Sequence, residues 1–236
     1  MIGKYQNSDI KRIWSDDNKF KLMETIELNW LEALSKFLNL EINTTLLRSL
    51  SLSGIRQIES ETKHEVVAFV QEMEMRLKDP KAKQYLHYNL TSSDLLDSTS
   101  TLQHRVSFNV FEDLYYSLNS AIKEIVLDEV YSQVKQIGRT HGRYAEQINF
   151  ISRFQNLYLG IANSYTQLKI CIDRLPGKLS GPVGESKVSY KVLDHAAKNS
   201  GFPLSNYKMQ IVPRQLYAEV AFNICNLATW YEKFCT

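Results

Sequence analysis

The chain has 236 residues, 44% apolar and 23% charged, which excludes disordered and fibrous classes and suffices for one large domain or two small ones. Its net charge of +2 is too small to argue for nucleic acid, although residues 119–236 carry 14 Lys and Arg against 9 Asp and Glu while residues 1–118 carry 14 against 17. No run reaches the ~18 apolar residues of a membrane span, Met1 to Asn7 holds no signal-peptide core, and Cys171, Cys225 and Cys235 follow no metal-ligand spacing, so the expectation is a cytoplasmic protein without disulfides or zinc.

A first amphipathic helix is predicted from Lys19 to about Phe37, with Met23, Ile26, Trp30, Leu34 and Phe37 on one face and Asp16 and Asp17 ahead of it. Lys81 to Ile137 contains neither glycine nor proline, 57 residues in all. Within it Val106, Val110, Leu114, Leu118, Ile122, Ile125 and Val134 recur at helical spacing, which predicts a very long helix after the Thr91-Ser92-Ser93-Asp94 cluster. A helix of that length points to a bundle or a coiled-coil assembly. A third long helix is predicted from about Tyr144 to Arg174. Pro176–Pro213, with four of the five prolines and four of the nine glycines, is the main irregular stretch. Helical spacing resumes with Leu216, Val220, Ile224, Leu227 and Tyr231. No segment sustains two-residue alternation, so the fold class is all-α.

Three of the five histidines stand among residues that suggest chemistry. His64 lies where charged residues run into an apolar helix face, Thr62-Lys63-His64-Glu65-Val66-Val67. His87 lies in Tyr85-Leu86-His87-Tyr88-Asn89-Leu90-Thr91-Ser92-Ser93-Asp94, a polar turn heading the longest helix. Free N–H groups and hydroxyls there suit an anion such as a carboxylate. His141 lies in Gly138-Arg139-Thr140-His141-Gly142, whose glycines are expected to end one helix and to let backbone approach a ligand. His104 and His195 have no such setting and are expected to be dispensable.

In order along the chain, these blocks resemble the adenylosuccinate lyase family of the aspartase/fumarase superfamily. Ile13-Trp14-Ser15-Asp16-Asp17-Asn18-Lys19-Phe20 and Glu27-Leu28-Asn29-Trp30-Leu31-Glu32-Ala33-Leu34 look like its opening helix. Lys63-His64-Glu65-Val66, His87 to Asp94 and Gly138 to Gly142 look like successive active-site blocks. Ser180-Gly181-Pro182-Val183-Gly184 and Gln210-Ile211-Val212-Pro213-Arg214 look like two later ones. One block is weak; five in the right order are specific.

The resemblance implies an aspartase/fumarase-like fold with a small helical N-terminal domain, residues 1–90, and the long helices of a central bundle, residues 91–236. It implies β-elimination of fumarate from a succinylated purine nucleotide in purine biosynthesis, without metal or organic cofactor. His141 would be the general acid, and His64 would hold His141 and the nucleotide phosphate in a relay. His87, Thr91, Ser92 and Thr140 would position the substrate, Gln210 and Arg214 would contact it, and Lys4-Tyr5 would take the place of a phosphate-binding Arg-Tyr. The partners implied are a succinyl nucleotide and further copies of the chain, as a tetramer or dimer.

Several positions depart from the family pattern: Glu65 for Asp, Asn89 for Gly, Gln147 for Pro, Pro182 for Ala, Gln215 for Asp and Lys4 for Arg. The loop Ser-Ser-x-Met-Pro-x-Lys-x-Asn-Pro, which carries the family's catalytic serine base, does not occur in these 236 residues. Three readings stay open: a shortened lyase, an incomplete subunit that joins a full-length lyase in mixed oligomers, and a nucleotide-binding pseudoenzyme.

Overall fold

The computed structural model describes residues 6–235; Lys4 and Tyr5 lie outside them. Element order is α1 (Ser8–Ile13), α2 (Asp16–Leu38), α3 (Leu52–Thr62), α4 (Glu65–Arg76), α5 (Pro80–Tyr85), α6 (Ser92–Leu127), α7 (Glu129–Ser132), β1 (Lys135–Thr140), β2 (Arg143–Asn149), α8 (Ile151–Arg174), α9 (Tyr190–Ser200) and α10 (Arg214–Cys235). The all-α expectation holds, apart from one antiparallel two-stranded hairpin. No helix among the described residues is long and apolar enough to cross a membrane.

The described residues pack as two compact units, residues 6–107 with 174–214, and residues 108–173 with 215–235. The division falls within α6. In the first unit α2 is the central helix. Ser15 caps it by accepting the Asn18 N–H, Asp16 and Asp17 fill its first turn, and Asn39 ends it in a left-handed conformation. Phe20, Met23, Ile26, Trp30, Leu31 and Leu34 are fully buried along it. They pack with Ile55 of α3, Phe69 and Met73 of α4, Leu95 and Leu102 of α6, and Val192 and Ala196 of α9. Phe20 stacks on Phe69 with ring centroids 5.9 Å apart.

The second unit is built on α6, α8 and α10. Its core is Phe108, Tyr115 and Ile122, then Ile161, Tyr165, Leu168 and Ile172, then Val220 and Leu227. Tyr115 and Tyr165 stack face to face at 3.7 Å. The core face of α6 in this unit is thus a seven-residue repeat of Phe108, Tyr115 and Ile122. Of the stripe predicted to be its core, Ile122 is buried, whereas Leu114 is 60% exposed and Val106 and Leu118 are also exposed. The helix therefore carries two apolar faces, and periodicity alone could not say which one the chain itself covers.

The third long helix begins at Ile151, not near Tyr144, because the residues ahead of it form the hairpin. Thr140 pairs with Arg143 across the two-residue loop His141-Gly142, whose φ values are +51° and +74°. Two successive positive φ angles match the strand-compatible type I′ turn, and Gly142 is the residue type that adopts the second without cost. Register slips between Ile137 and Arg139, so Gly138 marks an irregularity in the ladder rather than a helix end. Nearly every hairpin residue is exposed or only half-buried, which left no in–out alternation in the sequence.

Gly160 in α8 meets Trp230 of α10: a Cβ built there would lie 2.5 Å from the indole. Gly160→Ala should therefore displace Trp230 and lower stability by about 1–3 kcal/mol, the range for overpacking. Urea denaturation of the variant beside wild type checks this.

Candidate active site

α2 and α6 set the first unit's candidate site through buried carboxylates. Glu27 faces the interior of α2, fully buried, three residues before Trp30. Trp30 donates its indole N–H to the Tyr88 carbonyl at 3.1 Å, while Glu27 receives the backbone N–H of His87 at 3.1 Å and pairs with His87 Nδ1 at 2.6 Å. Two side chains of one helix face thus hold the turn that carries His87. The turn needs such support, because His87 and Asn89 both have positive φ, +56° and +58°.

His87 faces a shallow cleft of about 130 Å³ that it lines with Ser92 and with Val66, Val67, Val70 and Gln71 of α4. Burial works against its imidazolium. The hydrogen bond and charge of Glu27, with the charge of Asp94 adding, outweigh that and hold the His87 pKa above the ordinary histidine range. With Nδ1–H given to Glu27, Nε2 is the ring atom left for a ligand.

His64 caps α4: its Nδ1 accepts the Val67 N–H at 3.3 Å, and its Nε2 lies 3.5 Å from Ser92 Oγ. An Nδ1 used as acceptor places the proton on Nε2, which aims that N–H toward the hydroxyl. Glu65, next in the chain, pairs with Lys19 of α2 at 2.5 Å, so the longer glutamate is accommodated as an ion-pair partner.

Thr91 precedes α6, and Asp94 accepts its N–H at 2.7 Å, the reciprocal half of a capping box. Asp94 is fully buried and also accepts the backbone N–H groups of Ser180 at 2.9 Å and Gly181 at 3.1 Å, together with the ammonium of the equally buried Lys178. Burial holds the Asp94 carboxyl above the ordinary carboxylate range, while Lys178 and the N–H groups pull against that. One turn on, Asp97 accepts the Val212 N–H at 2.7 Å and pairs with Arg214 at 2.8 Å. These contacts fix the ends of the Ser180–Gly184 and Gln210–Arg214 blocks. Gln210 itself is exposed.

Asn89 stands in a left-handed turn, the conformation a glycine would supply, and its amide donates to Ser186 at 2.9 Å. Asparagine is among the side chains that tolerate this geometry best. Gly181 (φ +74°) lies against the Asn89 carbonyl, where an added Cβ would sit 3.0 Å from the oxygen.

The first unit thus gathers His64, His87, Thr91 and Ser92, and holds Arg214 on Asp97. Thr140 and His141 belong to the second unit, exposed at the tip of the hairpin. Histidine is, with asparagine and aspartate, among the non-glycine residues enriched at positive φ, so His141 fits the first position of this turn. His104 gives Nδ1–H to the Ser100 carbonyl at 2.8 Å and meets Trp14 edge-on, and His195 meets Phe37 edge-on. No cluster of three or more His, Cys, Asp or Glu side chains fit to hold a metal occurs among the described residues.

Glu27, Asp97 and Lys178 were not singled out by sequence reasoning. Glu27 had a signal: an acidic residue four after Met23 and three before Trp30 falls on the buried stripe, where an unpaired carboxylate would be costly.

No protein-family model matches the chain. Among curated proteins it is similar to adenylosuccinate lyase of Archaeoglobus fulgidus, 29% identical over 240 residues that cover 98% of this chain and 53% of the relative. Adenylosuccinate lyase of Methanocaldococcus jannaschii is 25% identical over 244 residues, covering 98% and 52%, and that of Streptococcus mutans 25% over 249 residues, covering 100% and 55%. The resemblance to adenylosuccinate lyase holds over the whole chain. The chain spans about half the length of the curated relatives it matches. Among solved structures, fumarate lyase from Mesorhizobium sp. BNC1 shares the fold at a TM-score of 0.83 and 15% identity, over 97% of this chain and 56% of that one. Beta-carboxy-cis,cis-muconate cycloisomerase from Acinetobacter calcoaceticus does so at 0.78 and 17%, over 93% and 54%. The all-α fold is therefore shared with both of these structures.

Replacing Asp94 by Asn should cost about 3–5 kcal/mol, the range for removing one partner of a buried ion pair, because Lys178 is then buried without its counter-charge. Denaturant unfolding measures the loss, and Asp94→Asn combined with Lys178→Met should lose less than Asp94→Asn alone.

Proposed function

We propose that the chain supplies the acid and anion-binding part of an adenylosuccinate lyase-type active site, acting in β-elimination of fumarate from a succinylated purine nucleotide. The observation that carries this reading is His87 and Ser92 lining one cleft with His64 beside Ser92, in a chain that resembles adenylosuccinate lyases throughout.

In the elimination a base removes a proton from the carbon beside a succinyl carboxylate. Its electron pair forms the new C=C bond as the C–N bond breaks, and an acid protonates the departing nitrogen. His141 on the exposed hairpin tip is the proposed acid, with Thr140 beside it for the substrate. His64, whose Nε2–H points toward Ser92, is the proposed relay to His141 and the phosphate. His87, Thr91 and Ser92 would take the succinyl carboxylates, with free N–H groups of the α6 start adding to them. Gln210, Arg214 and the Lys4-Tyr5 pair would complete the contacts to the nucleotide. No metal or organic cofactor enters this scheme.

A second reading, an incomplete subunit that works in a mixed oligomer, draws on the exposed apolar residues of the second unit. Leu114 and Leu118 of α6 and Phe222 and Ile224 of α10 are all more than 40% exposed, apolar side chains that a partner surface would cover. Both readings assemble the site from several copies, as a tetramer or dimer; the first relies on another base or on solvent, and the second takes the serine base from a complete lyase.

Fumarate release from adenylosuccinate tests this, with the chain alone and mixed with a full-length lyase whose own general-acid histidine has been replaced. The chain alone should be slower than a complete lyase by about 10²–10⁴-fold, the usual worth of acid–base assistance. Mixing should restore turnover, and His141→Ala should abolish the restored rate while largely sparing binding. Full turnover by the chain alone would refute partner dependence. No release under either condition would refute the lyase reading.

A further inference from the structure

Glu27 has no role in the scheme above, yet it is the fully buried carboxylate that touches the cleft's ligand-facing histidine. Its two oxygens engage the His87 backbone N–H at 3.1 Å and Nδ1 at 2.6 Å. One carboxylate therefore stabilises both the left-handed turn and the orientation of the ring. A buried carboxylate without a counter-charge is costly, and the His87 ring, at 2.6 Å, supplies one when it is protonated.

We infer that Glu27 is a positioning residue that holds His87 as an imidazolium, so that the cleft takes an anionic group, a carboxylate or a phosphate, on His87 Nε2–H. The anion-binding half rests on the proposed lyase reading; the state of His87 does not.

The surroundings of the ring agree. From α2 it meets Glu27, and from α6 it feels the negative charge of Asp94, which is itself paired with Lys178. From α4 the cleft receives Val66, Val67, Val70 and the neutral Gln71, while His64 at the start of that helix engages Ser92. Both charges acting on the ring are negative, and both favour the charged form. A histidine fixed in this way donates on both nitrogens and accepts on neither. In an elimination it would bind developing or resident negative charge and would not serve as the base.

The test is a pH titration of the full chain labelled on its histidine rings, followed by NMR, with the His87 signal assigned through its loss in His87→Asn. His87 should titrate above ~6.5, the ordinary histidine value, and Glu27→Gln should lower it by about one unit or more, a tenfold loss of proton affinity. The other histidines should move little. Fumarate and inorganic phosphate, titrated separately, then report the anion. Occupancy by the accepted one should fall as pH rises through the His87 value, because the imidazolium is present below its pKa and lost above it. In Glu27→Gln that fall should move to lower pH.

A wild-type His87 that titrates at or below ~6.5 would overturn the inference whether or not the variant folds. So would a folded Glu27→Gln variant in which His87 is unmoved. A raised, Glu27-dependent His87 with no pH-linked binding of either anion would uphold the positioning role, and would overturn the anion site and the succinyl-nucleotide reading with it.

Discussion

Asp94 sits at the head of a 36-residue helix with no exposure to solvent, and much of the first unit is arranged around the need to neutralise it. Taking a carboxylate and an ammonium out of water costs several kcal/mol per ion, repaid only where every remaining lone pair and proton is matched. Here the match comes from three backbone N–H groups and Lys178, contributed by residues 91 and 178–181. Asp97 repeats the device one turn later with Val212 and Arg214. Segments far apart in the chain are thereby stapled to the same two turns of α6. The glycines nearby serve that stapling: Gly184 has φ +79°, and a Cβ there would lie 2.2 Å from the Met209 nitrogen.

Glu27 extends the same logic to α2. Each of the three carboxylates supports backbone as well as side chains, so the cleft's polar groups are presented by loops that are themselves held from below. Such support fits a site whose donors must be fixed before a ligand arrives. It also explains how the loops on either side of α9, within residues 176–213, are ordered: their backbone groups have specific partners in α6 and in each other, as in the pairing of Gly177 with Leu204.

Much of this was legible in the sequence. The stripe of α2 and the start of α6 at Thr91-Ser92 followed from spacing, whereas the stretch 176–213, read as irregular from its glycines and prolines, contains the helix α9. What could not be read depended on partners distant in the chain. Asp97 and Lys178 look like ordinary surface charges until folding buries them, and Glu27 announces itself only by interrupting an apolar stripe. The hairpin was missed for a different reason. Its residues are mostly exposed on both faces, so it leaves no period of two, and its turn is marked only by Gly142 after a histidine in a positive-φ position. On α6 the period was right and the face was not, because a helix that is apolar on two sides satisfies both templates.

The second unit complements the first in kind. It holds a stacked tyrosine core, leaves apolar surface open on α6 and α10, and carries His141 on an exposed turn. The proposed division of labour gives anion binding to the first unit and the acid to the hairpin tip. The central claim, that the His64–His87–Ser92 cleft recognises a succinylated purine nucleotide, is tested most directly by titrating adenylosuccinate, up to millimolar concentration, into the full chain while following its five histidine ring signals by NMR. The account predicts saturable shifts at His64 and His87, with His104 and His195 unmoved. Unchanged His64 and His87 signals across that range would contradict it.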